Sequence, residues 1–219
     1  MLGVLVAVEG PSAAGKTTWC RVHAGRFVAE YSPPGREPDG VDLALQADYW
    51  VETNSARWAA AAELERTEGV AVCDGDPLKL HYSWCLAAVG AAPWDRFEQE
   101  YERVRAAFRR RRLGLVDVVF VSRAPEAVLR AHRAADPVRR RRSFGLHMRL
   151  REPLLEWYRC LERLDRGRVI WELPEGDLAL SEFAPRPDRF DVERLDASQV
   201  PGGGVGGGAH ARRWWGRGR

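Results

Sequence analysis

The stretch Gly10-Pro-Ser-Ala-Ala-Gly-Lys-Thr17 decides the expected fold of this chain. It is preceded at 2–8 by a continuous apolar run, Leu-Gly-Val-Leu-Val-Ala-Val, which is typical of a central parallel strand buried on both faces. From Lys16 to about Ala29 the sequence favours a helix. We therefore predict a strand, a glycine-bearing loop and a helix in direct succession.

These eight residues match the pattern G-x-x-x-x-G-K-[ST], and the strand before them and the helix after them are the context that the pattern requires. Backbone N–H groups in such a loop, followed by a helix N-terminus, offer oriented dipoles to the oxygens of a polyphosphate. We expect Lys16 to reach the β- and γ-phosphates of ATP and Thr17 to place its hydroxyl on Mg²⁺. The residues expected to bind the nucleotide are Gly10, Ser12, Ala13, Ala14, Gly15, Lys16, Thr17 and Thr18.

Lysine is rare in this sequence, which makes its place in the loop informative. Of 34 cationic residues only Lys16 and Lys79 are lysines, so arginine is the default cation. The formal net charge is +3, but the last 19 residues hold four arginines and no acid. Without those four, 30 cations face 31 acids, so a nucleic acid is not expected as a partner of the folded body.

Short apolar runs alternate with helical patterns along the rest of the chain. This alternation favours βαβ units, and we expect an α/β fold: a doubly wound parallel sheet of about five strands with helices on both faces, plus a small arginine-rich lid at about 133–145. Strands are predicted at 27–31, 70–74, 116–121 and 168–173 in addition to the first. Helices are predicted at 41–66, 94–112, 125–133 and 145–164, the last bent at Pro153, and another is predicted to be capped by Asp76 and Pro77.

The 219 residues are expected to form one P-loop domain at 1–200 and a disordered Gly- and Arg-rich tail at 201–219. Four scattered cysteines without a C-x-x-C pair predict buried free thiols in a reducing compartment. The first apolar run lacks the basic residues of a signal peptide, and no stretch approaches the ~18 apolar residues of a membrane helix. The sequence thus predicts a cytoplasmic protein without a membrane partner, and it leaves the oligomeric state open, a homodimer included.

The segment Val8-Glu-Gly-Pro-Ser-Ala-Ala-Gly-Lys-Thr-Thr18 resembles the opening of thymidylate kinases and deoxynucleoside kinases, which share an E-G-x-x-x-x-G-K-[ST] start. The similarity covers the first 30 residues well and, more loosely, the order of later features: an acid after the second strand, an acid at the end of the third, and an arginine-rich lid. The resemblance implies a doubly wound parallel sheet, a requirement for ATP and Mg²⁺, and a small-molecule acceptor bound opposite the loop.

Two acids are candidates for the chemistry at the acceptor. Asp74 ends a predicted strand at the carboxyl edge of the sheet, where open α/β folds bind ligands. It could order Mg²⁺ together with Thr17, or it could accept the proton of an attacking hydroxyl. Glu30 competes for the base role, because the resembling nucleoside kinases carry an acid just after the second strand. The sequence leaves the two assignments open.

The resemblance also places an acceptor side on the predicted helix at 41–66. Thymidylate and deoxynucleoside kinases usually carry an arginine directly after the third-strand acid, whereas Gly75 and Asp76 follow that acid here. The more acidic pocket favours an uncharged hydroxyl acceptor over one that already bears a phosphate. Lys79 could bind a substrate anion or pair with Asp76. The candidate acceptor-binding residues are Gln46, Tyr49, Trp50, Arg57 and Lys79, although Trp50 could equally belong to the core.

The basic run at 139–142 predicts a lid that closes on the transferring phosphoryl group. Arg139 and Arg142 are the candidate clamp residues, since a planar guanidinium engages two phosphate oxygens at once. An ordinary solvated basic segment is the alternative.

The leading functional hypothesis is an ATP-dependent kinase that transfers the γ-phosphoryl group to a hydroxyl of a nucleoside-like or other small acceptor. An antibiotic or sugar phosphotransferase and a nucleoside monophosphate kinase are alternatives with the same donor. From a different class, the chain could be a nucleotide-binding switch or a nucleic-acid-associated ATPase that uses its Arg- and Trp-bearing tail as an electrostatic anchor.

Overall fold

A computed structural model describes residues 3–32, 35, 37–38, 40, 42–136, 143–176 and 179–198. The strands are β1 Val4–Glu9, β2 Val70–Asp74, β3 Val118–Val121 and β4 Val169–Trp171. The helices are α1 Lys16–His23, α2 Leu43–Glu68, α3 Leu80–Ala88, α4 Trp94–Arg109, α5 Glu126–Ala134, α6 Phe144–Arg149, α7 Arg151–Leu164 and α8 Val192–Ala197, with a short 3₁₀ turn at Leu180–Glu182.

The strands form one parallel sheet in the order β2-β1-β3-β4. The register pairs Val8 of β1 with Asp74 of β2, and Glu9 of β1 with Val121 of β3. Because all pairs are parallel, the carboxyl ends of the strands and the loops that follow them meet at one edge of the sheet.

Both faces of the sheet are covered, as the apolar strand sequences predict. Leu5 and Ala7 of β1 belong to the larger core cluster, which is filled by residues of α2, α3, α4 and α7. Val6 packs on the opposite face with Trp19 of α1 and Phe120 of β3. Burial on both sides explains why β1 is apolar at successive positions rather than at alternate ones. The predicted doubly wound α/β fold is confirmed.

The sheet has four strands within the described residues, where about five were predicted. The missing strand, predicted at 27–31, is reduced to a single parallel bridge between Val28 and Cys73 on the free edge of β2. The backbone N–H of Val28 donates to the carbonyl of Val72 at 2.8 Å, and that of Asp74 donates to the carbonyl of Val28 at 2.8 Å. One residue thus keeps the chain beside β2 without extending the ladder.

Three predicted helices differ in their limits. The first, predicted from Lys16 to about Ala29, ends at His23. The helix expected after Asp76 begins only at Leu80, because the Asp76 carboxylate accepts from the backbone N–H of Leu78 at 2.9 Å in a turn instead of capping a helix. The helix expected at 145–164 is two helices, α6 and α7. Pro153 does not bend it; it lies in the first turn of α7, where a missing N–H leaves no intrahelical bond unmade.

The cysteines are buried free thiols, which confirms that prediction. Burial raises the pKa of the Cys73 thiol to about 12, so the thiol stays protonated and unreactive at neutral pH. Among the described helices, none combines the length and the apolarity that crossing a membrane would need.

A buried ionic cluster ties the C-terminal segment to the amino end of the sheet. Arg189 Nε donates to Asp117 Oδ1 at 2.8 Å, and its Nη1 donates to Glu65 Oε1 and Oε2 at 2.9 and 3.0 Å. Asp117 Oδ2 also accepts from the backbone N–H of Leu5 at 2.7 Å. Asp117, Arg189 and Glu65 are 0%, 5% and 7% exposed, so water does not compete for their charges.

We expect Arg189→Met to lower the free energy of unfolding by about 3–5 kcal/mol, because the carboxylates of Asp117 and Glu65 would stay buried without their counter-charge. Urea denaturation followed by tryptophan fluorescence measures the change. As a control, Arg66→Met removes the exposed ion pair with Glu63 and should leave the unfolding midpoint where it is. Equal losses in the two variants would contradict a structural role for this cluster.

Candidate active site

The loop between β1 and α1 curls over the carboxyl edge of the sheet. Gly10 and Gly15 have φ of +148° and +85°, which residues with a Cβ rarely adopt. A Cβ on Gly10 would also lie 3.0 Å from the Cβ of Ser122. Lys16 is the first residue of α1, and its Nζ donates to the Gly10 carbonyl at 3.1 Å. The Lys16 ammonium and the N-terminus of α1 therefore belong to one loop, the arrangement that binds phosphates in other proteins.

A cleft of about 1150 Å³ opens above this loop. Each residue predicted to bind the nucleotide lines the cleft, as do Glu30 and Lys79. The other walls come from α3, α5, α6 and α7 and from the loop after β4. On one side His132 of α5 holds its Nδ1 3.0 Å from the carbonyl oxygen of Ala13, so α5 contacts the loop between β1 and α1 directly.

Thr17, on the lining of the cleft, contacts the buried Asp74 at the end of β2. Thr17 Oγ1 donates to Asp74 Oδ2 at 2.6 Å. Asp74 Oδ1 is buried and has no hydrogen-bond partner among the described residues. Burial raises the pKa of the Asp74 carboxyl, and the nearby Glu30 adds to the rise, while the bond from Thr17 opposes it. A carboxylate oxygen that has no hydrogen-bond partner and lies near a hydroxyl is a candidate ligand for a cation.

Mg²⁺ fits this pair of oxygens. The ion usually takes one or two protein ligands and completes its shell with phosphate oxygens and water. Within the described chain, no group of three or more His, Cys, Asp or Glu side chains could hold a metal on its own. Thr17 and Asp74 offer one hydroxyl and one carboxylate, which matches the one or two protein ligands that Mg²⁺ usually takes.

Glu9, Glu30 and Lys79 form what we call the acid–lysine cluster. Lys79 Nζ lies 3.4 Å from Glu9 Oε2 and 3.3 Å from Glu30 Oε1. Glu9 Oε2 also accepts from the backbone N–H of Asp76 at 2.9 Å. Burial alone would raise the pKa of both glutamates, but Lys79 and Lys16 together bring each pKa below its ordinary value. Both carboxylates are therefore ionised at neutral pH.

A buried polar layer lies behind the cluster. His81 Nε2 is 3.6 Å from Glu9 Oε2, and the hydroxyl of Tyr158 donates to Asp76 Oδ2 at 3.3 Å and lies 3.4 Å from His81 Nδ1. Burial lowers the pKa of His81 to about 4 and raises the pKa of Asp76 to about 6. The imidazole is thus neutral at pH 7. Sequence reasoning missed Glu9, His81 and Tyr158; only Glu9 left a signal, as an acid at the end of a buried strand.

The structure places Arg57 behind the end of β2 rather than on the lining of the cleft. Its Nη2 donates to the carbonyls of Asp74 and Gly75 at 2.8 and 2.9 Å, and its Nε donates to the carbonyl of Ala29 at 3.2 Å. These bonds join the Val28 bridge segment to the turn after β2. Arg57 therefore positions the backbone that carries Asp74.

The other residues expected on the acceptor side lie along α2. Gln46 is buried. The rings of Tyr49 and Trp50 are 5.2 Å apart, and Trp50 packs edge-on against Tyr31 at 5.3 Å, just after Glu30. In the part of the chain that the structure describes, the cleft lining contains none of the three. The proposed clamp residues Arg139 and Arg142 lie outside the described residues.

His81 makes the stability of this layer depend on pH. Its pKa is lower in the folded protein than in the unfolded chain, so the unfolded state binds a proton first and stability falls as the pH drops below about 6.5. Between pH 7 and pH 5 we expect this residue alone to cost about 2 kcal/mol. Urea denaturation at both pH values should show a smaller loss for His81→Gln than for the wild type. Tyr158→Phe, which keeps the imidazole, should retain the loss; the same loss in His81→Gln would refute the assignment.

Comparison with known proteins yields no matching protein-family model and no matching curated protein sequence. Among solved structures, this chain is similar to deoxyadenosine kinase from M. mycoides with the products dCMP and a flexible dCDP bound, with 12% identity, a TM-score of 0.55, and coverage of 80% of this chain and 92% of that one. It is also similar to the NadR protein in complex with NR, with 18% identity, a TM-score of 0.52, and coverage of 89% of this chain and 51% of the NadR chain, about half of its length. At these identities the likeness concerns the fold alone.

Proposed function

We propose that this protein is an ATP-dependent kinase that transfers the γ-phosphoryl group to a hydroxyl of a nucleoside-like or other small acceptor. The observation that carries the proposal is the shared cleft: the phosphate-binding loop with Lys16 and the carboxylate of Glu30 line the same 1150 Å³ space. The similarity of the fold to a deoxyadenosine kinase supports it.

The donor side is assigned to the loop and α1. Lys16 and the loop amides would hold the β- and γ-phosphates of ATP. Thr17 Oγ1 and Asp74 would hold Mg²⁺, for which the unpartnered Asp74 Oδ1 offers a ligand oxygen. Bound there, Mg²⁺ would neutralise charge on the phosphates. Arg139 and Arg142 are proposed to clamp the transferring group.

The acceptor side is assigned to Glu30. Asp74 already shares its Oδ2 with Thr17, which supports a role at the metal rather than at the hydroxyl. Glu30 is ionised, and its side chain is 37% exposed at the cleft. We propose that Glu30 accepts a hydrogen bond from the acceptor hydroxyl and directs the hydroxyl oxygen at the γ-phosphorus of ATP. As the new P–O bond forms, the bond from the γ-phosphorus to the β,γ-bridging oxygen breaks, ADP leaves, and Glu30 takes the hydroxyl proton.

ATP consumption with Mg²⁺ across nucleosides, nucleoside monophosphates, sugars and aminoglycosides tests the proposal. At least one acceptor should raise turnover in the wild type, and Lys16→Ala should lower kcat/KM about 100-fold or more. Glu30→Gln should lower kcat by about 10²–10⁴-fold while ATP affinity stays unchanged, because its carboxylate would act on the acceptor.

Glu175→Gln is the matched control, since it removes a carboxylate from the loop after β4 in the same cleft and should change kcat little. If no acceptor raises turnover above the Lys16→Ala background, the kinase proposal fails and a nucleotide-binding switch takes its place.

A further inference from the structure

The three charged groups of the acid–lysine cluster converge over one glycine. A Cβ built on Gly75 would lie 3.1 Å from Lys79 Nζ and 3.6 Å from both Glu30 Oε1 and Glu9 Oε2. Any side chain at this position would enter the cluster. The glycine therefore keeps open the space in which the ammonium sits between two carboxylates.

The backbone of Lys79 is held in an unfavourable conformation at the same point. Its φ is +49°, in the left-handed region that residues with a Cβ avoid, and α3 begins at the next residue. Such a conformation persists only where the surroundings fix it. Here the side chain is 21% exposed, and one of its partners, Glu9, is only 3% exposed. The pairing with a buried carboxylate is the interaction that fixes Lys79.

The charge of the cluster follows from these pairs. Glu9 and Glu30 are ionised, and the two carboxylates raise the pKa of Lys79 above its ordinary value against the effect of burial. The cluster thus carries one net negative charge. His81, facing Glu9 from α3, is neutral, and Arg57, facing from α2, donates to backbone carbonyls. A phosphate that approached Lys79 would meet the Glu30 carboxylate at the same time.

Three other cations line the described part of the cleft. Lys16 belongs to the loop proposed to bind the donor phosphates, and Arg21 is exposed on α1, the helix that follows this loop. Arg151 of α7 donates to the carbonyls of Arg123 and Ala124 at 3.0 and 3.2 Å. Among the described residues, the cation that pairs with Glu30 is Lys79, which Glu9 also holds.

We infer that Lys79 is an internal counter-ion held by Glu9, and that this end of the cleft selects an acceptor that is neutral or carries an amine and rejects one that already bears a phosphate. The inference rests on the proposed kinase function. Glu9 is a positioning residue in this account: it acts by fixing Lys79, and its removal frees the ammonium from one of its two carboxylates.

The presence of only two lysines makes Lys79 directly observable. Protein labelled with nitrogen-15 lysine should give two side-chain ammonium signals, and Lys16→Ala assigns them. We expect the Lys79 signal to stay in place when AMP is added at millimolar concentration. Glu9→Gln should lower the pKa of Lys79 by about one unit, because one of the two charges that stabilise the ammonium is lost. If Glu9→Gln does not fold, Glu30→Gln removes the other, more exposed partner and should lower this pKa as well.

Kinetics provide the second readout. The ratio of kcat/KM for a nucleoside to that for its 5′-monophosphate should be about 100 or more in the wild type and should fall about tenfold in Glu9→Gln. Glu175→Gln removes a carboxylate from the same cleft outside the cluster and should leave the ratio unchanged. A merely structural Glu9 would lower both kcat/KM values together.

The two proposals fail in different ways. A wild type that phosphorylates no acceptor overturns the proposed function, while the lysine signals still decide the state of Lys79. The proposed role of Lys79 as an internal counter-ion is overturned if AMP shifts the Lys79 signal saturably, or if the Lys79 pKa is unchanged in the variant that folds. The proposed rejection of phosphorylated acceptors then fails as well.

Discussion

The register of β1 against its two parallel neighbours is the constraint on which the site depends. Val8 lies opposite Asp74 and Glu9 opposite Val121, so β1 and β2 deliver their last side chains to the same edge as the loop that joins β1 to α1. A slip of one residue would turn Asp74 to the other face of β2 and separate it from Thr17. Side chains of β1 pack into core clusters on both faces of the sheet, and a slip would disrupt the packing in both, so the core of the sheet fixes the geometry of its polar edge.

That edge concentrates acids in a place where burial disfavours their charge. The structure compensates most of them: Glu9 has Lys79 and the Asp76 amide, and Asp76 has the Leu78 amide and the Tyr158 hydroxyl. Asp74 is different, because its Oδ1 has no partner within the described residues. This Asp74 oxygen lies near the loop between β1 and α1, which we propose binds a polyphosphate and its cation. The electrostatics thus distinguish two parts of the site: Asp74, whose Oδ1 has no partner among the described residues, and the acid–lysine cluster, in which Lys79 offsets one of two carboxylate charges.

The sequence predicts correctly those elements of the fold and the site whose residues are contiguous along the chain. The run before Gly10, the loop and the helix after Lys16 are contiguous, and the strand ending at Asp74 is a plain apolar run with a terminal acid. The acid–lysine cluster could not be found this way, because Glu9 and Lys79 are 70 positions apart and meet only after β1 and β2 pair. The family resemblance placed Arg57 on the acceptor side of α2 and did not show that its guanidinium faces the backbone behind β2. The Val28 bridge is one residue long and leaves no periodic pattern.

The most direct test of the account is calorimetric titration of the whole chain with a non-hydrolysable ATP analogue, with and without Mg²⁺. The account predicts saturable binding that Mg²⁺ strengthens in the wild type, a weaker effect of Mg²⁺ in Asp74→Asn, and loss of binding in Lys16→Ala. A folded wild-type protein that binds neither ATP nor GTP analogues in the presence of Mg²⁺ would contradict it.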